Sequence, residues 1–168
     1  MTENYTKESN IQGKLILVIR VRGAPSMNYK IADTLKMLRL HKPNHCTILF
    51  GTPSVLGMLN KVKDYIAYGD VDESILVKLL QKRAKLKGQK PLTEEHIRNK
   101  TKYSNYKDLA KALINGEIQL KDIYNLKPVF RLHPPKGGYR KSIKVPFNAG
   151  GTLGYVGKYI NFLVSKMI

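Results

Sequence analysis

The run Lys14-Leu15-Ile16-Leu17-Val18-Ile19-Arg20-Val21 constrains this chain more than any other feature. An amphipathic helix or a half-exposed strand interrupts its apolar residues at a period of 3.6 or 2, and this β-branched-rich run does neither. Both faces of such a strand need covering. It therefore predicts a strand in the middle of a sheet, closed by the turn residues Arg22-Gly23-Ala24-Pro25.

The following segments supply partners. Between Tyr29 and Leu40, Ile31, Leu35 and Leu38 recur at helical spacing, and Pro43 lies just beyond. Cys46 to Phe50 reads as a second strand. Thr52-Pro53 then suits a helix start, with the helix running to about Val62. Tyr65 to Tyr68 makes a third strand ended by Gly69-Asp70. The predicted fold class is α+β: a small three-stranded sheet in strand-helix-strand-helix-strand order, ferredoxin-like in part, with two helices against one face.

Beyond this core the pattern changes. Asp72 can cap a helix whose apolar face is Ile75, Leu76, Leu79 and Leu80, with Gly88 as its stop. A short helix can start at Thr93, and another covers Asp108 to Asn115. From Pro134-Pro135 through Gly154 the chain reads as an irregular arm, and Ile160, Leu163, Val164 and Met167 anchor it as a last helix. The expected organisation is a loose tail over 1–13, an α+β core over 14–70, a helical extension over 71–126 and a basic glycine- and proline-rich arm over 127–168. A fragment ending at Asp70 is expected to keep the core.

Charge decides the class of partner. Thirty Lys and Arg against 12 Asp and Glu give a formal charge of +18, which repels itself unless a polyanion neutralises it. No Asp or Glu follows Asp122. Eight cations do: Lys127, Arg131, Lys136, Arg140, Lys141, Lys144, Lys158 and Lys166. An ordinary solvated surface mixes signs, so an unmixed stretch this long favours phosphate. No apolar run is long enough to span a bilayer, the amino terminus lacks a signal-peptide pattern, and the single cysteine, Cys46, fits a reducing compartment. A cytosolic nucleic-acid-binding protein is the expectation.

Other chemistries find little support. His41, His45 and Cys46 lie close in sequence, but adjacent strand residues point to opposite faces and no second cysteine pair exists. Gly151, Gly154 and Gly157 lack the Walker spacing and no strand leads into them. Asp64 and Asp70 read as solvated element ends rather than catalytic acids, and an RNA-modifying enzyme needs a donor-binding loop or a poised carboxylate cluster. No helix-turn-helix or zinc-finger pattern points to DNA. Neither a cofactor, a metal nor a small-molecule substrate is expected. Tyr139, Tyr155 and Tyr159, lying among the basic residues, could stack on unpaired bases, although Tyr159 could equally pack inward.

Several motifs carry a resemblance. Phe130-Arg131-Leu132-His133-Pro134-Pro135-Lys136-Gly137-Gly138-Tyr139 resembles the signature of the universal protein-thirty family of the large ribosomal subunit, whose eukaryotic members are numbered seven. Val18-Ile19-Arg20-Val21-Arg22-Gly23, Thr34 to Leu40 and Gly150-Gly151-Thr152-Leu153-Gly154 are similar to that family too. The long carboxyl-terminal part resembles the archaeal and eukaryotic form, and the short tail favours the archaeal one. The resemblance implies a structural constituent of the large subunit that contacts its large ribosomal RNA, the small ribosomal RNA of that subunit and neighbouring ribosomal proteins. A free RNA chaperone or regulatory RNA-binding protein is the alternative. The expected RNA-binding residues are Arg20, Arg22, Lys30, Lys36 and Arg39 in the core. In the arm they are Arg131, His133, Lys136, Gly137, Gly138, Tyr139, Arg140, Lys141, Lys144 and Lys158.

Overall fold

The computed structural model describes residues 11–168. Its first strand, β1 (Leu15–Arg20), is buried at every position. Successive side chains feed two different clusters: Leu15, Leu17 and Ile19 enter one, and Ile16 and Val18 the other. β2 (His45–Phe50) and β3 (Ile66–Asp70) flank it antiparallel, with Leu17 opposite both Ile48 and Gly69. The central position expected of β1 is thus what the structure shows.

The sheet is larger than the three strands expected. β4 (Phe130–Arg131) pairs antiparallel with β2, and β5 (Gly154–Tyr155) pairs parallel with β3, giving the order β4-β2-β1-β3-β5. Two-residue strands are too short to express an alternating pattern, so pairing partners more than 80 residues away create them. β3 also runs past Tyr68. Gly69 stays in the strand because the main chain at Gly157 lies directly against it, where a β-carbon would collide with the Gly157 carbonyl.

Two helices cover the face formed by Ile16 and Val18. α1 (Tyr29–Met37) starts at Asn28, whose side chain accepts from Lys30 N–H, and α2 (Pro53–Val62) starts at Thr52, which accepts from Val55 N–H. α1 stops short of the expected Leu40. Arg39 turns left-handed at φ 61°, its N–H donates to Lys36 O, and Leu40 N–H reaches back to Leu35 O at 2.8 Å. This paired closure buries Leu40 against the same cluster as Leu35 and points the chain toward β2.

The opposite face carries the remainder. α3 (Glu73–Arg83), α4 (Glu94–Lys100), α5 (Tyr106–Ile114) and α6 (Tyr159–Met167) bury apolar residues in the cluster that takes Leu17 and Ile19. That cluster draws on residues before Asp70, on the helical extension and on the arm. The loose tail foreseen over 1–13 falls mostly on residues outside the described ones. Within residues 11–13 the chain is tied down, with Ile11 buried and Gly13 N–H donating to Gly51 O at 3.0 Å.

Candidate nucleic-acid interface

The arm is held to the body by its own main chain. Phe130 is fully buried opposite Cys46, and Leu132 N–H donates to Asn44 O. His133 and Lys136 N–H groups then donate to Met167 O and Lys166 O, at 3.0 and 3.1 Å. The turn that follows puts Gly137 and Gly138 at φ 81° and 78°, closed by Gly138 N–H on Pro135 O. Only glycine takes two such positions cheaply, and space around both is open. Tyr139 returns inward: its hydroxyl donates to Asn44 Oδ1 at 2.7 Å, and burial pushes its phenol up to about 12.

A second knot fixes the distal half. Thr152 Oγ1 donates to Arg140 O, Thr152 N–H to Val145 O, and Phe147 N–H to Leu153 O. Gly151 sits where a β-carbon would strike the Val145 carbonyl. The Arg140 guanidinium lies 5.1 Å over the Phe147 ring. Held this way, Arg131, His133, Lys136, Arg140, Lys141, Lys144 and Lys158 are all exposed.

Their charge is not neutralised internally. Among the described residues two ion pairs form, Lys36 with Asp33 at 3.3 Å and Arg98 with Glu94 at 3.8 Å, and neither involves the arm. β4 adds a further concentration. It sets Arg131 opposite His45, next to His41 and Lys42. Burial first, and then the charges of Arg131, His41, Lys42 and Arg20, hold the His45 imidazole below its ordinary value. Among the described residues His45 Nδ1 is buried without a hydrogen-bond partner. Sequence reading missed His41 and Lys42 as members of this ridge because nothing local links them to Arg131.

The core residues named from sequence divide. Lys30, Lys36 and Arg39 are exposed on α1 and its closing turn. α1 and α6 cover opposite faces of the sheet, and Arg39 lies two residues before His41 of the ridge described above. Arg22 is half-buried, lies 4.9 Å over the Tyr65 ring and donates to Asp64 O. Arg20 is the most internally engaged of the five. It is 4% exposed, donates from Nε to Arg22 O and from Nη1 to Leu40 O and His41 O, and braces the turn after α1.

The tyrosines are engaged within the fold, Tyr159 by the inward packing that is one of its two readings. Tyr155 donates to Asp70 Oδ2 at 3.1 Å, and burial together with that carboxylate pushes its phenol up to about 12. Tyr159 packs between Phe147 and Phe162. Cys46 is fully buried, which raises its thiol well above the usual range. Among the described residues no group of three or more His, Cys, Asp or Glu gathers to hold a metal, and no helix is long and apolar enough to cross a membrane.

Known proteins share this sequence closely. Residues 16–66 match the family described as Ribosomal protein L30p/L7e. Over 150 residues the chain is 50% identical to the large ribosomal subunit protein uL30 of Methanoculleus marisnigri, covering 89% of this chain and 97% of that one. The chain belongs to the L30p/L7e family. The protein of the same name from Archaeoglobus fulgidus is 48% identical over 153 residues, covering 91% of this chain and 99% of its own. These L30p/L7e relatives match along nearly their whole length, so the helical extension and the arm belong to the archaeal form of the family as much as the βαβαβ part does.

Proposed function

We infer that this chain is a structural constituent of the large ribosomal subunit that binds and stabilises ribosomal RNA, with the arm as its main phosphate-binding surface. The observation that carries the reading is the arm itself: exposed cations, no acid after Asp122, and a main chain pinned to the sheet and to α6. Lysine ammonium groups neutralise phosphates and release counterions, whereas arginine forks set orientation on irregular RNA. The Gly137-Gly138 turn lets a backbone come close to RNA without a side chain intervening. Large-subunit ribosomal RNA, the small ribosomal RNA of that subunit and adjacent ribosomal proteins are the partners in this reading, in the cytoplasm. It involves no turnover, cofactor, membrane or small-molecule substrate.

Replacing Arg131, Lys136, Arg140, Lys141 and Lys144 together with Ala tests it. Each phosphate deprived of its cation lowers the slope of log affinity against log salt by roughly 0.7 to 0.9, so five should lower it by about 3.5 to 4.5. Thermal unfolding should change little, because among the described residues these exposed side chains form no ion pair. An unchanged slope with a large loss of stability would show that the five brace the fold, and would move the RNA surface to Lys30, Lys36 and Arg39.

A further inference from the structure

The helical extension has no role in that reading, yet it carries an arrangement of its own around Tyr124. This side chain is 57% exposed, and among the described residues its hydroxyl has no hydrogen-bond partner. Two side chains of α4 lie against its ring. His96 stacks against it with ring centroids 6.4 Å apart and planes 21° from parallel, and His96 Nε2 bonds to Tyr124 O at 2.9 Å. One turn along α4, Lys100 Nζ lies 5.1 Å from the same ring centroid.

The surroundings are basic. Lys87 N–H donates to Asn125 O at 2.8 Å, Lys127 N–H donates to Lys85 O at 2.9 Å, and Leu86 bridges to Leu126. These bonds lay Lys85, Lys87 and Lys127 alongside the stretch of chain that carries Tyr124. Of the acids nearby, Glu94 is paired with Arg98, Asp122 accepts the Gln119 N–H that opens its own turn, and Glu95, exposed next to His96, forms no ion pair among the described residues. A preset aromatic face amid lysines matches the chemistry of an unpaired nucleobase whose flanking phosphates are neutralised.

We propose that Tyr124 is a stacking platform for an unstacked base of ribosomal RNA, giving the helical extension a second RNA contact separate from the arm. The proposal rests on the reading of this chain as a ribosomal RNA-binding protein. Stacking, not charge, distinguishes it from a generic basic patch.

Because the chain contains no tryptophan, Tyr124→Trp installs a single indole at the platform. Titrated with a transcript of large-subunit ribosomal RNA, its emission should be quenched as the complex forms. Tyr124→Ala should weaken binding by roughly 5- to 100-fold with the salt slope unchanged, as expected when one base stack is removed, and Tyr124→Phe should retain affinity. An unquenched indole in fully bound protein, or an Ala variant that binds like the unsubstituted chain, would overturn the proposal. Loss of binding on both Ala and Phe substitution would also overturn it, since the ring face is then not what matters. Failure of the unsubstituted chain to bind the transcript would instead bring down the ribosomal reading beneath it, and the five-residue arm variant would show that independently.

Discussion

Arg20→Met separates a brace from a phosphate ligand more sharply than any other single change. Methionine keeps an unbranched apolar stem in the buried site and removes the bonds to Arg22 O, Leu40 O and His41 O, at 2.9, 2.8 and 2.8 Å. Hydrogen bonds to a charged group contribute about 1.5 to 3 kcal/mol each. The carbonyls of Arg22 and His41 belong to residues that are not buried, so water replaces part of the loss there, while Leu40 is fully buried. The expected cost is about 3 to 5 kcal/mol, a large share of the roughly 5 to 15 kcal/mol that holds a domain folded. For a chain of this size that lowers Tm by roughly 6 to 20 °C, readable by circular dichroism. Arg20→Lys should recover little, because one compact ammonium cannot reproduce the planar fork that reaches three carbonyls. Below the melting point of the variant, the salt slope of RNA binding should match the unsubstituted chain. An unchanged Tm with a slope reduced by about 0.7 to 0.9 would refute the reasoning and return Arg20 to the RNA surface.

Two further outcomes follow from the packing. A fragment ending at Asp70 leaves Leu17, Ile19 and Cys46 without the helices that bury them, so it should show no cooperative thermal transition; a sharp one would uphold the sequence-based boundary. His45 titrates below its ordinary value when folded, so as pH falls through about 6.5 the unfolded chain takes up a proton that the folded chain refuses, and stability drops until the folded value is passed. His45→Gln should flatten that part of a melting profile between about pH 7.5 and 5, and an identical slope in the variant would assign the effect to another histidine.

The sequence disclosed whatever depends on near neighbours. The burial of β1 on both faces is written in its unbroken apolar run, and the caps Asn28 and Thr52 and the apolar faces of α3 and α6 lie within a few residues of what they organise. The acid-free arm needed only counting. Spacing could not separate Arg20 from Arg22, two cations in one motif, because the difference lies in which carbonyls surround them after folding. Nor could it find β4, β5 or the ridge joining Arg131 to His41 and Lys42, since each depends on residues brought together across most of the chain. The end of α1 was misplaced for a different reason. Leu38 and Leu40 keep an apolar pattern going, but Leu40 is buried by the closing turn rather than by another turn of helix.

The joint between arm and sheet is made of main chain: His133 and Lys136 on the end of α6, Val156 on Tyr68, and Gly69 against Gly157. Such contacts carry no net charge, so ionic strength that dissolves the RNA complex leaves the arm's shape in place. A basic segment that orders only on its RNA must offset a conformational entropy cost at the moment of contact and shows a large negative heat-capacity change. Here that cost is already met in folding. Docking should then behave as encounter between two preset surfaces, with a rate governed by diffusion and electrostatic steering and a small heat-capacity change that varies little with salt.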